Sequence, residues 1–91
     1  MPESDTAAVV ARFIKDGRLV IMPTKRSKLL LVLDHIVQEF ELGRTYPEAD
    51  VNEVLLAYHD DYAALRRYLV DEAFLTRDAG VYWRTGGTVV V

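Results

Sequence analysis

Residues 59–84, HDDYAALRRYLVDEAFLTRDAGVYWR, constrain the fold of this chain more than any other stretch. Asp60 and Asp61 are good helix caps, and Tyr62, Leu65, Leu69 and Ala73 follow at spacings of three and four. That pattern predicts a helix over Asp61–Glu72 with one apolar face. Phe74–Arg77 and Val81–Arg84 have the composition of short strands. Between them, Asp78-Ala79-Gly80 matches a three-residue hairpin loop with glycine where φ must be positive. A helix feeding straight into a β-hairpin is the second half of a winged helix-turn-helix.

The upstream residues supply what such a fold needs. Ser4 or Asp5 is placed to cap a first helix reaching Lys15, with Val9, Val10, Phe13 and Ile14 as its apolar stripe. Asp16-Gly17 is a turn signal. Arg18–Met22 reads as a strand ended by Pro23. Thr24 is expected to cap a second helix, Lys25–Phe40, that buries Leu29, Leu33, Ile36 and Phe40 with Leu30 and Val37 beside them. Gly43 suits a left-handed stop. Thr45 or Tyr46 then opens a third helix, with Pro47 in its first turn, Glu48 and Asp50 at the positive end of its dipole, and Val51, Val54, Leu55 and Tyr58 inward. Gly86-Gly87 allows a turn, leaving 85–91 as a tail or short edge strand. The expected fold is α+β: one winged helix-turn-helix-like domain over residues 1–91, with an added N-terminal helix and a C-terminal β-hairpin wing. Tyr62, Leu65, Leu69 and Trp83 are expected to close its interior, and the helix after the break at 59–60 is in the position of a recognition helix.

Composition narrows the function. There is no cysteine, which removes disulfides, thiol nucleophiles and thiolate metal sites. The opening MPESDTAAVV lacks the basic-then-apolar pattern of a signal peptide, and Leu29–Leu33 is far short of the ~20 apolar residues of a membrane span. A cytoplasmic protein with no membrane partner is the expectation. Net charge is −3 and unevenly placed. Residues 1–44 hold seven Lys/Arg against six Asp/Glu, whereas 45–91 hold four against eight. The half that resembles a nucleic-acid reader is the acidic half, and phosphate neutralisation supplies most non-specific DNA affinity.

Three segments, DGRLVIMPTKRSKLLLVL (16–33), FELGRTYPEADVNEVL (40–55) and HDDYAALRRYLVDEAFLTRDAGVYWR (59–84), together resemble the bacterial domain of unknown function numbered two thousand and eighty-seven. Asp61 followed by Leu65-Arg66-Arg67, and later Tyr82-Trp83-Arg84, are the most specific part, and the resemblance covers about residues 13–84. It implies a winged-helix-like fold and a role in transcription, and it brings no catalytic residues. Members occur alone or behind an ArsR-type DNA-binding domain. The length here leaves no room for a second such domain, so the stand-alone form is expected.

The candidate DNA-contacting residues are Arg66, Arg67, Arg77 and Arg84, with Lys25, Arg26 and Lys28 as phosphate ligands. Exposed arginine on a recognition helix reads guanine, and basic residues elsewhere meet phosphates. The competing assignment pairs Arg67 with Asp71 at i,i+4 and lays the Arg66 methylenes over the core edge. Asp60 and Asp61, at the end of the helix that approaches DNA, oppose it. A protein-interaction or dimerisation surface made of Ala64, Tyr68, Val89 and Val90 is the alternative, with a second copy or another regulatory protein as partner. His35, His59, Asp60 and Asp61 lack the i,i+4 spacing of a helical metal site. His59 is expected to pack or hydrogen-bond at the interhelical turn. Ser4 and Ser27 have no triad around them, and Gly86-Gly87 lacks the Lys-Ser/Thr of a phosphate loop. No enzymatic activity, metal or cofactor is expected.

Overall fold

The computed structural model describes residues 2–89, and the side chains of residues 6–89. Helix α1 (Pro2–Phe13) leads into a small hairpin of β1 (Ile14–Lys15) and β2 (Arg18–Leu19). Then come α2 (Arg26–Val37), β3 (Thr45–Pro47), α3 (Glu48–Leu56), α4 (Tyr62–Asp71), β4 (Leu75–Asp78) and β5 (Val81–Arg84). The fold is α+β. β1 and β2 pair antiparallel, and the second sheet is antiparallel in the order β3-β5-β4.

Both hairpins turn on two residues with positive φ. Asp16 and Gly17 (53° and 76°) join β1 to β2, and Ala79 and Gly80 (51° and 80°) join β4 to β5. Such turns match the right-handed twist of the flanking strands. Asp78 is therefore not a loop residue, as the three-residue reading had it, but pairs with Val81. Ala79 accepts a left-handed conformation at a cost of about 1–2 kcal/mol.

Several expected boundaries move. α1 starts at Pro2, so Ser4 and Asp5 lie inside it rather than ahead of it; their side chains are outside the described residues. The strand expected over Arg18–Met22 ends at Leu19, leaving Val20 and Ile21 exposed. Lys25, not Thr24, is the N-cap of α2, without a side-chain cap bond, and the helix stops at Val37. Phe40 is buried all the same, in the turn beyond the helix. The largest revision is β3. Thr45 and Tyr46 do not open a helix but pair with Trp83 and Tyr82 of β5. Tyr46 precedes a proline, and the proline ring disfavours the helical region for the residue before it. Pro47 ends the edge strand and becomes the N-cap of α3.

The core lies between the helices and one face of the β3-β5-β4 sheet. α2 contributes Val32, Leu33, Ile36 and Val37, α3 Val51 and Leu55, α4 Leu65 and Leu69, and the sheet Tyr46, Leu75 and Tyr82. Alternation along β5 sends Tyr82 and Arg84 inward and Val81 and Trp83 outward. Trp83 thus lies opposite Thr76 and Thr45 on the outer face and does not close the interior; Tyr82, 1% exposed, takes that place. Ala73 is also not a core residue. It is exposed, at φ 63°, and forms the left-handed stop of α4: Phe74 N–H bonds Leu69 O at 2.8 Å and Ala73 N–H bonds Val70 O at 3.0 Å.

Among the described residues beyond β5 there is no strand, and Thr88 is not a loose end. The Thr88 N–H and hydroxyl donate to the two carboxylate oxygens of Asp34 at 2.6 and 2.7 Å. Its carbonyl accepts from Gln38 Nε2 at 3.0 Å and from Arg84 at 2.8 Å. This path needs Gly87. At φ 96°, a Cβ there would sit 2.6 Å from Val37 Cγ1. Val90 and Val91 lie outside the described residues.

Candidate nucleic-acid interface

α4 is placed by short-range chemistry. The Asp61 carboxylate accepts from Ala64 N–H at 3.2 Å, a standard N-cap, and His59 Nδ1 accepts from Asp61 N–H at 2.9 Å. Asp60 is taken up by Arg18, at 2.9 Å. The same guanidinium donates to Leu56 O at 2.8 Å and Ala57 O at 3.3 Å, where the carbonyl end of α3 favours a cation. One of the two carboxylates at the start of α4 therefore carries its own counter-charge.

Between α4 and the β4–β5 hairpin lies a cleft of about 350 Å³. Arg66 and Arg67 face it from the helix together with Ala63 and Asp71, and Arg77 and Tyr82 face it from the hairpin. Cross-strand pairing explains Arg77: it lies directly opposite Tyr82, on the sheet face that looks toward the helices. Arg66 donates to Asn52 Oδ1 of α3, and its Nε lies 4.0 Å from Glu48 Oε1. The Tyr82 hydroxyl donates to the same Glu48 oxygen at 2.7 Å. The Arg77 guanidinium, beside the Tyr82 oxygen and within reach of the Glu48 charge, is held above the usual arginine range. Arg67 is exposed and, among the described residues, has neither a hydrogen bond nor an ion pair. The i,i+4 pair with Asp71 is not formed, although both side chains line the cleft.

Other expected contacts are elsewhere. Arg84 is 8% exposed and cannot meet phosphate. All three of its nitrogens donate to main-chain carbonyls: Phe40 at 3.2 Å, Gly86 at 2.9 Å and Thr88 at 2.8 Å. Arg26 forms a two-pronged bond with Glu72, at 2.7 and 3.2 Å, joining the start of α2 to the end of α4. Hydrogen bonding to Arg26 holds the Glu72 carboxyl below its usual range. Lys25 is exposed and Lys28 half-buried. In the alternative set, Ala64 is buried, and Tyr68 is half-buried, packed against the core with part of its surface accessible. Val89 is exposed, and Val90 lies outside the described residues. His35 sets its ring edge-on to Tyr58 at 6.3 Å. Among the described residues no group of three or more His, Asp or Glu is placed to hold a metal, and no helix is long and apolar enough to cross a membrane.

Sequence reasoning missed Glu48, Asn52 and Tyr82 as parts of this site. Glu48 was legible as a helix-dipole charge, but its partners Arg66 and Tyr82 lie 18 and 34 residues away. Also missed were a groove of about 800 Å³ between α1 and α2, walled by Ala7, Val10, Ala11, Ile14 and Leu31, and the exposed Val20, Ile21 and Leu56.

Comparison with known families matches residues 18–84 to DUF2087, described as an uncharacterized protein conserved in bacteria. The chain belongs to this family. The DUF2087 match begins at β2 and ends with β5, so it takes in α2 to α4, the larger sheet and the whole cleft, while α1, β1 and the Thr88 tether lie outside it. Neither the curated proteins nor the solved structures contain a match to the chain.

Proposed function

We propose that this DUF2087 domain is a non-enzymatic cytoplasmic regulator of transcription, built as a winged helix, that holds the phosphate backbone of nucleic acid between α4 and its hairpin. The element order α2-β3-α3-α4-β4-β5, with β3 added to the hairpin beside β5, fits a winged helix-turn-helix better than the order expected from sequence. The strand between α2 and α3 is then β3, whereas the strand expected over Arg18–Met22 lies ahead of all three helices, and in this reading α4 is the recognition helix. The observation that carries the reading is the convergence of Arg66, Arg67 and Arg77 on one cleft. Guanidinium groups match phosphate geometry and keep their charge at any physiological pH. Asp61 and the small side chain of Ala63 give the exposed first turn of α4 little to read bases with. Binding is therefore expected to depend on phosphate contacts and only weakly on sequence.

Fluorescence anisotropy with a labelled random duplex tests this. Three phosphate contacts predict that affinity falls about 40-fold between about 50 and 200 mM salt. Arg67→Glu should weaken binding at least about tenfold and reduce the salt slope by about one. No binding at low salt, or an Arg67→Glu variant equal to the wild type, refutes the proposal. The exposed apolar side chains Val20, Ile21 and Leu56 favour a second reading, a protein-interaction module. They flank the junction where Leu19 N–H bonds Tyr58 O at 2.7 Å. That reading predicts a stable dimer by sedimentation, dissociated by Ile21→Glu, with no duplex binding.

A further inference from the structure

We propose that Glu48 is a built-in counter-anion of the α4–hairpin cleft, holding from behind the charge that a phosphate group meets from in front, and that it thereby sets the affinity of the cleft for phosphate. The inference rests on the reading of the cleft as a phosphate site. Glu48 is the first residue of α3, and its N–H donates to Gly80 O in the hairpin turn at 3.0 Å. That bond fixes its backbone against the hairpin. Its Oε1 then serves several groups at once: the Tyr82 hydroxyl donates to it at 2.7 Å, and Arg66 Nε stands 4.0 Å away. Arg77, opposite Tyr82 on β4, is held above the usual arginine range first by the Tyr82 oxygen and only then by the Glu48 charge. One carboxylate thus links α3, α4 and the hairpin through residues that wall the cleft, without lining it itself.

A guanidinium has five N–H donors. Arg66 directs Nη1 to Asn52 and Nε toward Glu48, which leaves donors for an oxyanion in the cleft. Arg67 brings a full set. Three guanidinium groups therefore face two carboxylates, Glu48 behind and Asp71 in the wall. Neutralising Glu48 raises the net positive charge around an incoming phosphate from about one to about two elementary charges, a difference it feels through Arg66 and the partly screened space between them. The Glu48 side chain is 45% exposed, so water softens the effect without abolishing it.

The test is Glu48→Gln, which keeps an acceptor for the Tyr82 hydroxyl and removes only the charge. Glu53→Gln, an exposed position on the same helix away from the cleft, controls for net charge. Glu48→Ala is a second variant and should act in the same direction. Two probes are used on the whole chain: random duplex by anisotropy, and inorganic phosphate by the arginine Nε–Hε resonances in NMR. Glu48→Gln is expected to bind both about 3–10-fold more tightly than Glu53→Gln, with the duplex salt slope steeper by up to about 0.9. Equal affinities for Glu48→Gln and Glu53→Gln overturn the role of Glu48. If no variant binds duplex but Glu48→Gln binds inorganic phosphate more tightly than Glu53→Gln, the nucleic-acid reading falls and the role of Glu48 stands.

Discussion

Arg84 is the sharpest test of how the structure divides the arginines. Replacing it with methionine keeps most of the side-chain volume and removes the guanidinium. The lost hydrogen bonds run to Phe40 O, Gly86 O and Thr88 O. Hydrogen bonds involving a charged group contribute about 1.5–3 kcal/mol each. The bond to Phe40 O is the buried one, and that carbonyl is left without a partner, at about 1–3 kcal/mol. Water reaches the Gly86 and Thr88 carbonyls more easily and recovers part of their loss. Removal of the buried charge also refunds its own desolvation. Together these give an expected destabilisation of about 3–5 kcal/mol. A chain of this length has roughly 5–14 kcal/mol in total, so the variant should melt at least about 12 °C lower. Urea unfolding followed by far-ultraviolet circular dichroism measures it, with an unchanged m-value as the check on two-state behaviour. Arg67→Met, at an exposed position without partners among the described residues, should stay within about 0.5 kcal/mol of wild type. Arg84→Lys should fall between, since one ammonium cannot reach three carbonyls arranged around a planar fork. An Arg84→Met variant within about 1 kcal/mol of wild type would refute the reasoning.

Two other consequences are measurable. Gly87→Ala places a Cβ 2.6 Å from Val37 Cγ1 at a φ of 96°, so the tether of Thr88 should loosen. A loss of about 1–3 kcal/mol in thermal unfolding and faster amide exchange at Thr88 are expected; unchanged protection at Thr88 would contradict this. Tyr58 has its phenol pushed well above the usual tyrosine range, first by burial and then by its hydrogen bond to Glu39 at 2.5 Å. A raised folded value favours the protonated form, so the stability it contributes is complete below the ordinary tyrosine value of about 10 and is lost as pH rises through the folded value. At about pH 11, just above the ordinary value, folded wild type should show the same near-ultraviolet phenolate absorbance as Tyr58→Phe. A full extra tyrosinate in the wild type would contradict it.

The elements that local chemistry controls were legible in the sequence. Asp61 caps α4 because its carboxylate reaches an N–H three residues on. Asp16-Gly17 turns the chain because both residues tolerate positive φ, although Ile14 and Lys15 before it, expected as the end of α1, are a strand. The apolar spacing on α2, α3 and α4 marked the faces that carry Leu33, Ile36, Leu55, Leu65 and Leu69 into the core. All of these are contests between neighbours within a turn or two of helix, and residue type decides them.

What pairs across long stretches of chain was settled only by the tertiary structure. Thr45-Tyr46-Pro47 become a strand because β5, some 35 residues later, supplies the partner. Four alternating residues in β5 are compatible with either face turning inward, and helix packing selected Tyr82 and Arg84 over the larger Trp83. The arginines show it most clearly. In sequence Arg26, Arg66, Arg67 and Arg84 are chemically equivalent, five-donor cations. In the fold, Glu72 takes Arg26, Asn52 and Glu48 engage Arg66, and carbonyls enclose Arg84, leaving Arg67 unpartnered among the described residues. A cation's role is set by the acceptors within about 4 Å of it, and only the folded chain brings those acceptors near.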